Sequence, residues 1–471
     1  MASKRDQLHA HQFVVQRVIS ALVTRESDPE QPPFRRPGHA AVGGIAIAVI
    51  ALAAVGLYGL INPGGKDAWQ DGKSVVVEKE TGTRYVYLDG RLHPVENYTS
   101  ALLAIGNPAE TMSVSRDSLV GVPRGPRIGI PDAPDALPAK DQLLSGAWTL
   151  CSKPTEDLTG ALVPRSVLLV GRQGRGGTRL EDEAVLVDVP ETGDRYLVLR
   201  GYRHLISEED ALAVGLALRA KPAVRVSPAV IEAIPAGRPI APIPVAGMGK
   251  AAKVVPGKLD IRAGQLFEVA TSRGVQYYLA EVGQLRPITE LQYDIQRAYK
   301  GTAAAYPGSS PRALPMGLIE AGNAPQPAAT PAKAGDPPTE RPEFVDGGDA
   351  VTLCLGFAPG ADVPTVTMNP ALPAIDELTA TPMRTDRGAP LADRVVVPAG
   401  HAVVVEATQT RETPRGTLMV VSDLGVAYPL GEPKVLEVLG YGGVRPVRMP
   451  PGLVARIPVG SGLSHAAALQ R

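Results

Sequence analysis

Residues Ala40–Ile61 carry no charged side chain, and no other stretch of the 471-residue chain approaches them. As a helix these 22 residues extend roughly 33 Å, against a bilayer hydrocarbon core of about 30 Å. The stretch therefore predicts a transmembrane helix over 40–61, a tail over 1–39 before it and a region of about 410 residues beyond it. The rival is a cleaved signal peptide, whose apolar core runs to about 7–15 residues before a small-residue cleavage site. Here the apolar run is longer, and a basic tail precedes it.

Charge sets the expected orientation. The tail carries Lys4, Arg5, Arg17, Arg25, Arg35 and Arg36, whereas Lys66, Asp67, Asp71 and Lys73 after the span are mixed in sign. Cytoplasmic flanks hold the excess of Lys and Arg, so the tail is expected inside and the large region outside. Cys151 and Cys354 are the two cysteines, both in that large region and each in a strand-like run. In an oxidising compartment they suggest one disulfide, with two buried free thiols as the alternative. Such a bridge would close a loop worth at most about 5 kcal/mol of chain entropy. The zero net charge leaves no electrostatic footprint for nucleic acid. The outer region is too long for one core and is expected to divide.

The tail predicts an amphipathic helix. Ser3-Lys4-Arg5-Asp6 reads as a capping box, and Val15, Val18, Ile19 and Leu22 recur at helical spacing beside Phe13 and Val14. Two readings fit its apolar face: a helix lying on membrane lipid, or a helix docking on a partner. Ser27–Pro37 is proline-rich and charged, a linker.

Beyond the membrane the chain repeats itself. Thr81-Gly82-Thr83-Arg84-Tyr85 matches Thr192-Gly193-Asp194-Arg195-Tyr196, and the same offset pairs Gly90 with Gly201 and His93 with His204. Arg273-Gly274-Val275-Gln276-Tyr277 is a third copy, and Leu424-Gly425-Val426-Ala427-Tyr428 a fourth. Each has a β-rich run, a glycine turn, a Tyr-bearing strand and a short helical pattern. Ile234–Gly237, Leu314–Gly317 and Ile457–Gly460 close the later copies, and Ile130-Pro131 the first. The predicted modules span 73–131, 181–237, 260–317 and 395–460. Segments 132–180 and 347–394 carry the cysteines and are expected to build a separate core. A Pro/Ala-rich linker is expected over 318–346, with a flexible crossing at Ala324–Arg341, and 461–471 is a tail. Uneven spacing argues against a solenoid. The repeated Gly82, Tyr85, His93, Gly193, Tyr196, His204, Gly274, Tyr277, Gly425 and Tyr428 read first as structural, and second as a repeated pocket for glycan or peptide.

Catalytic constellations are sparse. A phosphate loop needs Gly-x-x-x-x-Gly-Lys-Ser/Thr; Gly247–Ala251 lacks the hydroxyl and Gly171–Gly177 the lysine. The histidines His93, His204, His401 and His465 are far apart, with no His-x-x-x-His or Cys-x-x-Cys pair. A Gly-x-Ser-x-Gly elbow does not occur. No catalytic residue, metal site or cofactor is expected.

Several of these residues together resemble the EccB family, the single-pass component of the type VII (ESX) secretion machine of actinobacteria. They are His11–Val18 in the tail, Tyr85-Val86-Tyr87, Leu92–Asn97 with Ser100-Ala101, Ile128–Pro134, Trp148–Cys151, Val275–Tyr278 and Asp423–Tyr428. The likeness runs in order along nearly the whole chain. It implies a single-pass membrane protein with an amphipathic helix, one transmembrane helix and a large β-rich α+β extracytoplasmic region. That region would hold about four repeat modules around a core bearing one disulfide, and Cys151 and Cys354 match the family's cysteine pair. It implies a structural and assembly subunit of the inner-membrane secretion complex, with EccC-, EccD- and EccE-like partners, membrane lipid and peptidoglycan as neighbours. Some members of the family are described as ATPases, so ATP hydrolysis is the alternative, with ATP as a ligand only on that reading. A cell-wall-binding module is a further alternative.

Overall fold

The computed structural model describes residues 3–23, 25, 35–61, 67–135, 137–255, 260–272, 274–328, 331–374, 380–410 and 412–471. Lys66, Arg273 and most of the linker expected at Ser27–Pro37 lie outside the described residues, and the backbone of 35–37 opens a helix. Helix α1 spans Lys4–Val23. Its capping box is present: Ser3 N–H donates to Asp6 Oδ2 (3.0 Å) and Asp6 N–H to Ser3 Oγ (3.3 Å). Helix α2 spans Arg35–Ile61 and contains the apolar run.

The chain then alternates between two kinds of sheet. First come β1 (Val75–Glu78), β2 (Arg84–Leu88), β3 (Arg91–Pro94), α3 (Tyr98–Ile105) and β4 (Thr111–Val114). Long strands β5 (Trp148–Glu156) and β6 (Leu162–Leu169) and short β7 (Thr178–Leu180) follow. Next are β8 (Val185–Val189), β9 (Asp194–Leu199), β10 (Tyr202–Leu205), α4 (Glu209–Gly215), β11 (Val224–Arg225) and α5 (Pro228–Ala233). Then come β12 (Leu266–Thr271), β13 (Gly274–Ala280), β14 (Leu285–Ile288), α6 (Glu290–Ala298), β15 (Ala313–Pro315) and α7 (Leu318–Asn323). Strands β16 (Leu353–Phe357), β17 (Thr365–Met368) and β18 (Arg394–Val396) lead to β19 (Val403–Ala407), β20 (Thr417–Val421) and β21 (Ala427–Pro429). The chain closes with α8 (Lys434–Val438), β22 (Val447–Met449), α9 (Pro451–Val454) and α10 (His465–Ala468).

Four sheets share one strand order: β3-β2-β1-β4, β10-β9-β8-β11, β14-β13-β12-β15 and β21-β20-β19-β22. In each, three strands form an antiparallel meander, and the fourth returns after a helix to pair parallel with the first. Parallel pairing needs such a crossover, which is why a short helix follows every third strand. The capping box at Thr289 and Gln292 starts α6, whereas α4 is preceded by Glu208 in the left-handed region at φ 62°, which makes no side-chain cap.

The fifth sheet has six strands in the order β18-β6-β5-β16-β17-β7. Two chain segments far apart in sequence build it. Cys151 on β5 lies opposite Cys354 on β16, and the two form a disulfide spanning 203 residues of sequence. Both are fully buried.

The core expected to stand apart does not. Trp148, Leu150, Leu353, Leu355 and Phe357 of the six-stranded sheet share one cluster with Val185, Val187, Val403 and Val405. The reason is strand alternation. Val185 and Val187 point to the shared core while Ala184 and Leu186 point to a second one, and Val403 and Val405 alternate likewise with Ala402 and Val404. Those second cores join sheets in pairs. Leu291 and Ile295 of α6 pack with Leu212 of α4, and Val435 and Leu439 around α8 pack with Leu102 of α3. Gly215 makes the first pairing possible, because a Cβ there would overlap Ile295.

The Pro/Ala-rich stretch 318–346 is tethered where it is described, and does not cross freely. It holds α7, its Pro325 carbonyl accepts from Leu285 N–H (2.7 Å), and its Gly335 carbonyl accepts from Arg238 N–H (2.8 Å). Proline carbonyls remain acceptors, so a sequence with little to bury still serves as an edge cover.

Candidate functional site

Some of the repeated residues meet in a local device found in three of the four sheets of common strand order. His93 on β3, His204 on β10 and Tyr428 on β21 each stand three residues after a turn glycine, Gly90, Gly201 or Gly425. These glycines adopt φ of 75°, 76° and 72°, a region that non-glycine residues enter with strain. Each ring covers a second glycine, Gly125, Gly237 or Gly460, where an added Cβ would overlap the ring.

The segment carrying that second glycine closes the outer edge of the third strand. Leu92 N–H donates to Pro123 O and Gly125 N–H to Leu92 O, both at 2.9 Å. Arg203 pairs in the same way with Pro235 (3.0 Å) and Gly237 (2.9 Å), and Ala427 with Pro458 (2.8 Å) and Gly460 (2.9 Å). The edge cover is thus x-Pro-x-Gly at Val122–Gly125, Ile234–Gly237 and Ile457–Gly460. An exposed strand edge invites pairing with other chains, and this cover blocks it. In the β12–β15 sheet Pro325 covers Leu285, Arg286 replaces the ring and Pro327 replaces the glycine. Ring and glycine are lost together.

Three sequence expectations are corrected here. Ile130-Pro131 does not close the first sheet; Val122–Gly125 does. Leu314–Gly317 does not close the third, since it holds the end of β15 and the approach to α7. The fourth motif is displaced by one strand. Tyr85, Tyr196 and Tyr277 lie on second strands, whereas Gly425 and Tyr428 lie in the following turn and on the third strand. Tyr428 therefore corresponds to His93 and His204. Gly-x-x-Tyr resembles both turns, and only the pairing separates them. Gly82 and Gly193 occupy first turns at φ 72° and 74°, and Gly274 opens β13 at φ 122°.

One polar atom of each of these rings faces a backbone carbonyl. His93 Nδ1 lies 3.1 Å from Pro126 O and His204 Nδ1 2.8 Å from Arg238 O, the residue after the glycine in both. Burial pushes the His204 imidazole below its ordinary pKa, against the opposing pull of that carbonyl and of Asp336. The Tyr428 hydroxyl donates to Asp132 O (2.9 Å), and the Asp132 carboxylate accepts from Ser461 N–H (2.7 Å). Burial drives the Tyr441 phenol up to about 12, and its hydroxyl donates to Pro138 O (2.9 Å). Arg456, almost fully buried, reaches Glu232 at 3.0 Å and so ties α9 to α5. Tyr85 is buried with Arg124 over its ring at 4.7 Å, Tyr196 has Arg203 at 5.7 Å, and Tyr277 stacks on Tyr293 at 4.2 Å. These contacts give structural order and set up no acid–base pair.

One near-match to a phosphate loop escaped the sequence reading: Gly72-Lys73-Ser74, with Asp67 in place of the first glycine. Gly72 ends a single 3-10 turn at φ 69°, and Ser74 leads directly into β1. A phosphate cradle needs a helix N-terminus after the loop, and here a strand follows. Among the described residues no group of three or more His, Cys, Asp and Glu is placed to hold a metal.

The membrane-facing features lie at the other end of the chain. Within α2, Gly38–Tyr58 has a mean hydropathy of 2.5 and no residue of that window is buried. On α1, Leu8, Phe13, Val14, Val15, Val18 and Leu22 are exposed.

The family described as "Type VII secretion system ESX-1, transport TM domain B" matches residues 1–471. The "ESX-1 secretion system ATPase EccB1" of Mycobacterium tuberculosis is 32 % identical over 285 residues, covering 58 % of this chain and 56 % of that protein. The chain thus aligns with little more than half the length of that relative. The "ESX-2 secretion system ATPase EccB2" of the same organism is 27 % identical over 486 residues, covering 99 % of this chain and 94 % of its own length. Among solved structures, an intact ESX-5 inner membrane complex holds a chain with a TM-score of 0.60 at 23 % identity, covering 100 % of this chain and 95 % of its own. The EccB3 dimer from the ESX-3 core complex gives a TM-score of 0.58 at 23 % identity, covering 84 % of this chain and 100 % of that one.

Proposed function

The chain belongs to the type VII secretion EccB family, and we propose that it is a structural and assembly subunit of an inner-membrane type VII secretion complex. The carrying observation is the family match over residues 1–471 on a chain with one candidate span followed by five sheets and a buried disulfide. Helix α2 crosses the cell membrane once, with α1 in the cytoplasm and the sheets outside. The four sheets of common strand order are read as four copies of one module. The six-stranded disulfide-linked sheet is the core between them. Partners are the other membrane subunits of the complex, EccC-, EccD- and EccE-like, together with lipid. The exposed apolar face of α1 suits a partner or the inner leaflet. No cofactor is assigned.

Relatives carry the word ATPase in their names. The geometry supports scaffolding better, because Gly72-Lys73-Ser74 runs into a strand and the repeated rings are tied to backbone. Native electrophoresis of membranes from cells producing the full chain tests the assembly reading. The chain is expected in a species far larger than itself, and deletion of residues 1–39 is expected to reduce that species. A full chain that migrates alone refutes the proposal. Magnesium-dependent ATP turnover by the purified protein, abolished by Lys73→Ala, would establish the hydrolase instead.

A further inference from the structure

The four sheets of common strand order meet through two kinds of helix. Crossover helices pair α6 with α4 and α8 with α3. The helices that follow the fourth strands pair α5 with α9. The sheets therefore form a row, from β12–β15 through β8–β11 and β19–β22 to β1–β4. At each end of the row the element after the fourth strand lacks such a mate.

The α5–α9 pair shows how these helices meet. A Cβ added at Gly452 would lie 3.4 Å from Glu232 O and 3.8 Å from Ala233 Cα. Arg456 reaches Glu232 at 3.0 Å. The second residue of α9 thus faces the fifth and sixth of α5.

The two ends of the row differ. After β4 the counterpart is a single 3-10 turn, Arg116–Leu119, whose second residue is the exposed Asp117. A polar outer face is how a row of repeats is closed. After β15 the counterpart is α7, whose second residue is Ile319, 79 % exposed. Leu318, Ile319, Gly322 and Asn323 share one side of this helix, and all four are exposed, whereas Ala321 is buried. That side carries no charge. Gly322 has no reason within the chain: its φ is not positive, and no described atom lies within 4 Å of a Cβ added there. Glycine in a helix is disfavoured against alanine.

The α5–α9 geometry supplies a reason. It sets the second position of one helix against the fifth and sixth of the other. On α7 the second position is a large aliphatic and the fifth is an open glycine, so two copies of α7 are complementary, and a twofold axis makes the contact twice. No charge is buried by it. We propose that α7 is a self-docking face, on which Ile319 of each copy seats over Gly322 of a second copy of this chain. This rests on the assembly reading above: the patch is far smaller than the about 1,200 Å² of a stable interface, so the copies pair where a shared membrane assembly holds them together.

The test uses full-length chains in membranes. The two native cysteines are joined and buried, so an introduced cysteine is the free thiol. Chains carrying Ile319→Cys and Gly322→Cys, with different tags, are produced together and treated with a mild thiol oxidant. A disulfide-linked pair carrying both tags is expected, at least about tenfold above that from Val120→Cys chains, whose site is exposed at the polar end of the row. The link between Ile319→Cys and Asn323→Cys chains is expected to fall at least about tenfold when both also carry Gly322→Leu, which fills the seat. Links no stronger than the Val120→Cys control, in chains that still enter the full-size complex, overturn the pairing alone. A link that survives Gly322→Leu overturns it too. A wild-type chain that migrates alone overturns the assembly reading instead.

Discussion

Gly125→Ala isolates the ring-over-glycine contact. Gly125 is not at positive φ, so alanine brings no backbone strain there, and the atoms its Cβ would meet all belong to the His93 ring. The ring must move. Moving it gives up the bond between Nδ1 and Pro126 O at 3.1 Å, a loss of about 1 kcal/mol for a typical neutral pair. Forcing χ about 30° from its well adds about 0.5–1.5 kcal/mol. The single substitution is therefore expected to cost about 1.5–2.5 kcal/mol. In a His93→Ala background the obstacle is gone, and Gly125→Ala should cost under about 0.5 kcal/mol, as at an ordinary surface site. The coupling between the two positions is then about 1–2 kcal/mol. Urea unfolding of the four proteins of this cycle, followed by tryptophan fluorescence, supplies the numbers, because Trp69 is buried in the same sheet's outer cluster. Equal costs of Gly125→Ala in the two backgrounds would refute the ring as the reason for the glycine.

Replacing Cys151 and Cys354 together with alanine reopens a 203-residue loop, and the chain-entropy account puts the loss at up to about 5 kcal/mol. Thermal unfolding with and without reductant measures it, and an unchanged midpoint in the double variant would contradict the role given to the bridge. Glu232→Gln leaves the Arg456 guanidinium almost fully buried without its countercharge, while Glu232 itself is about half exposed. After allowance for that exposure the cost is about 1–2 kcal/mol, read as a lower urea midpoint. His204 is held below its ordinary pKa by burial, so the unfolded chain takes up a proton first as pH falls. Its contribution to stability is fully present above the unfolded value of about 6.5 and is lost as pH drops through the lower folded value. His204→Phe should flatten the unfolding midpoint between pH 7 and 5, and an unaltered profile would show that His204 does not set it. Val49→Arg places a charge near the middle of α2, worth about 2.5–3.5 kcal/mol against insertion, and membrane fractionation should show loss of integral behaviour.

Some elements needed no partner to be read. The absence of charge from Ala40 to Ile61 and the reciprocal Ser3 and Asp6 side chains specify helices through neighbours a few residues away. Thr289 and Gln292 start α6 for the same reason. Turn glycines such as Gly90 and Gly201 were legible because only glycine enters that backbone region freely. The family likeness was likewise written along the chain in order.

What the chain could not reveal is set by pairings between distant residues. The displacement of Tyr428 by one strand, and the roles of Gly125 and Pro325, exist only once a third strand has found the segment that covers it. The shared core is of the same kind: Val185 and Leu186 look alike in sequence, and alternation sends them to different cores. Cys151 and Cys354 become one bridge because β5 and β16 choose each other across 203 residues. Local hydrogen bonds and hydrophobic spacing act over single turns and strands, so sequence alone fixes the elements. Which edges meet depends on burying the faces of all five sheets together, and that balance is reached only in the folded chain.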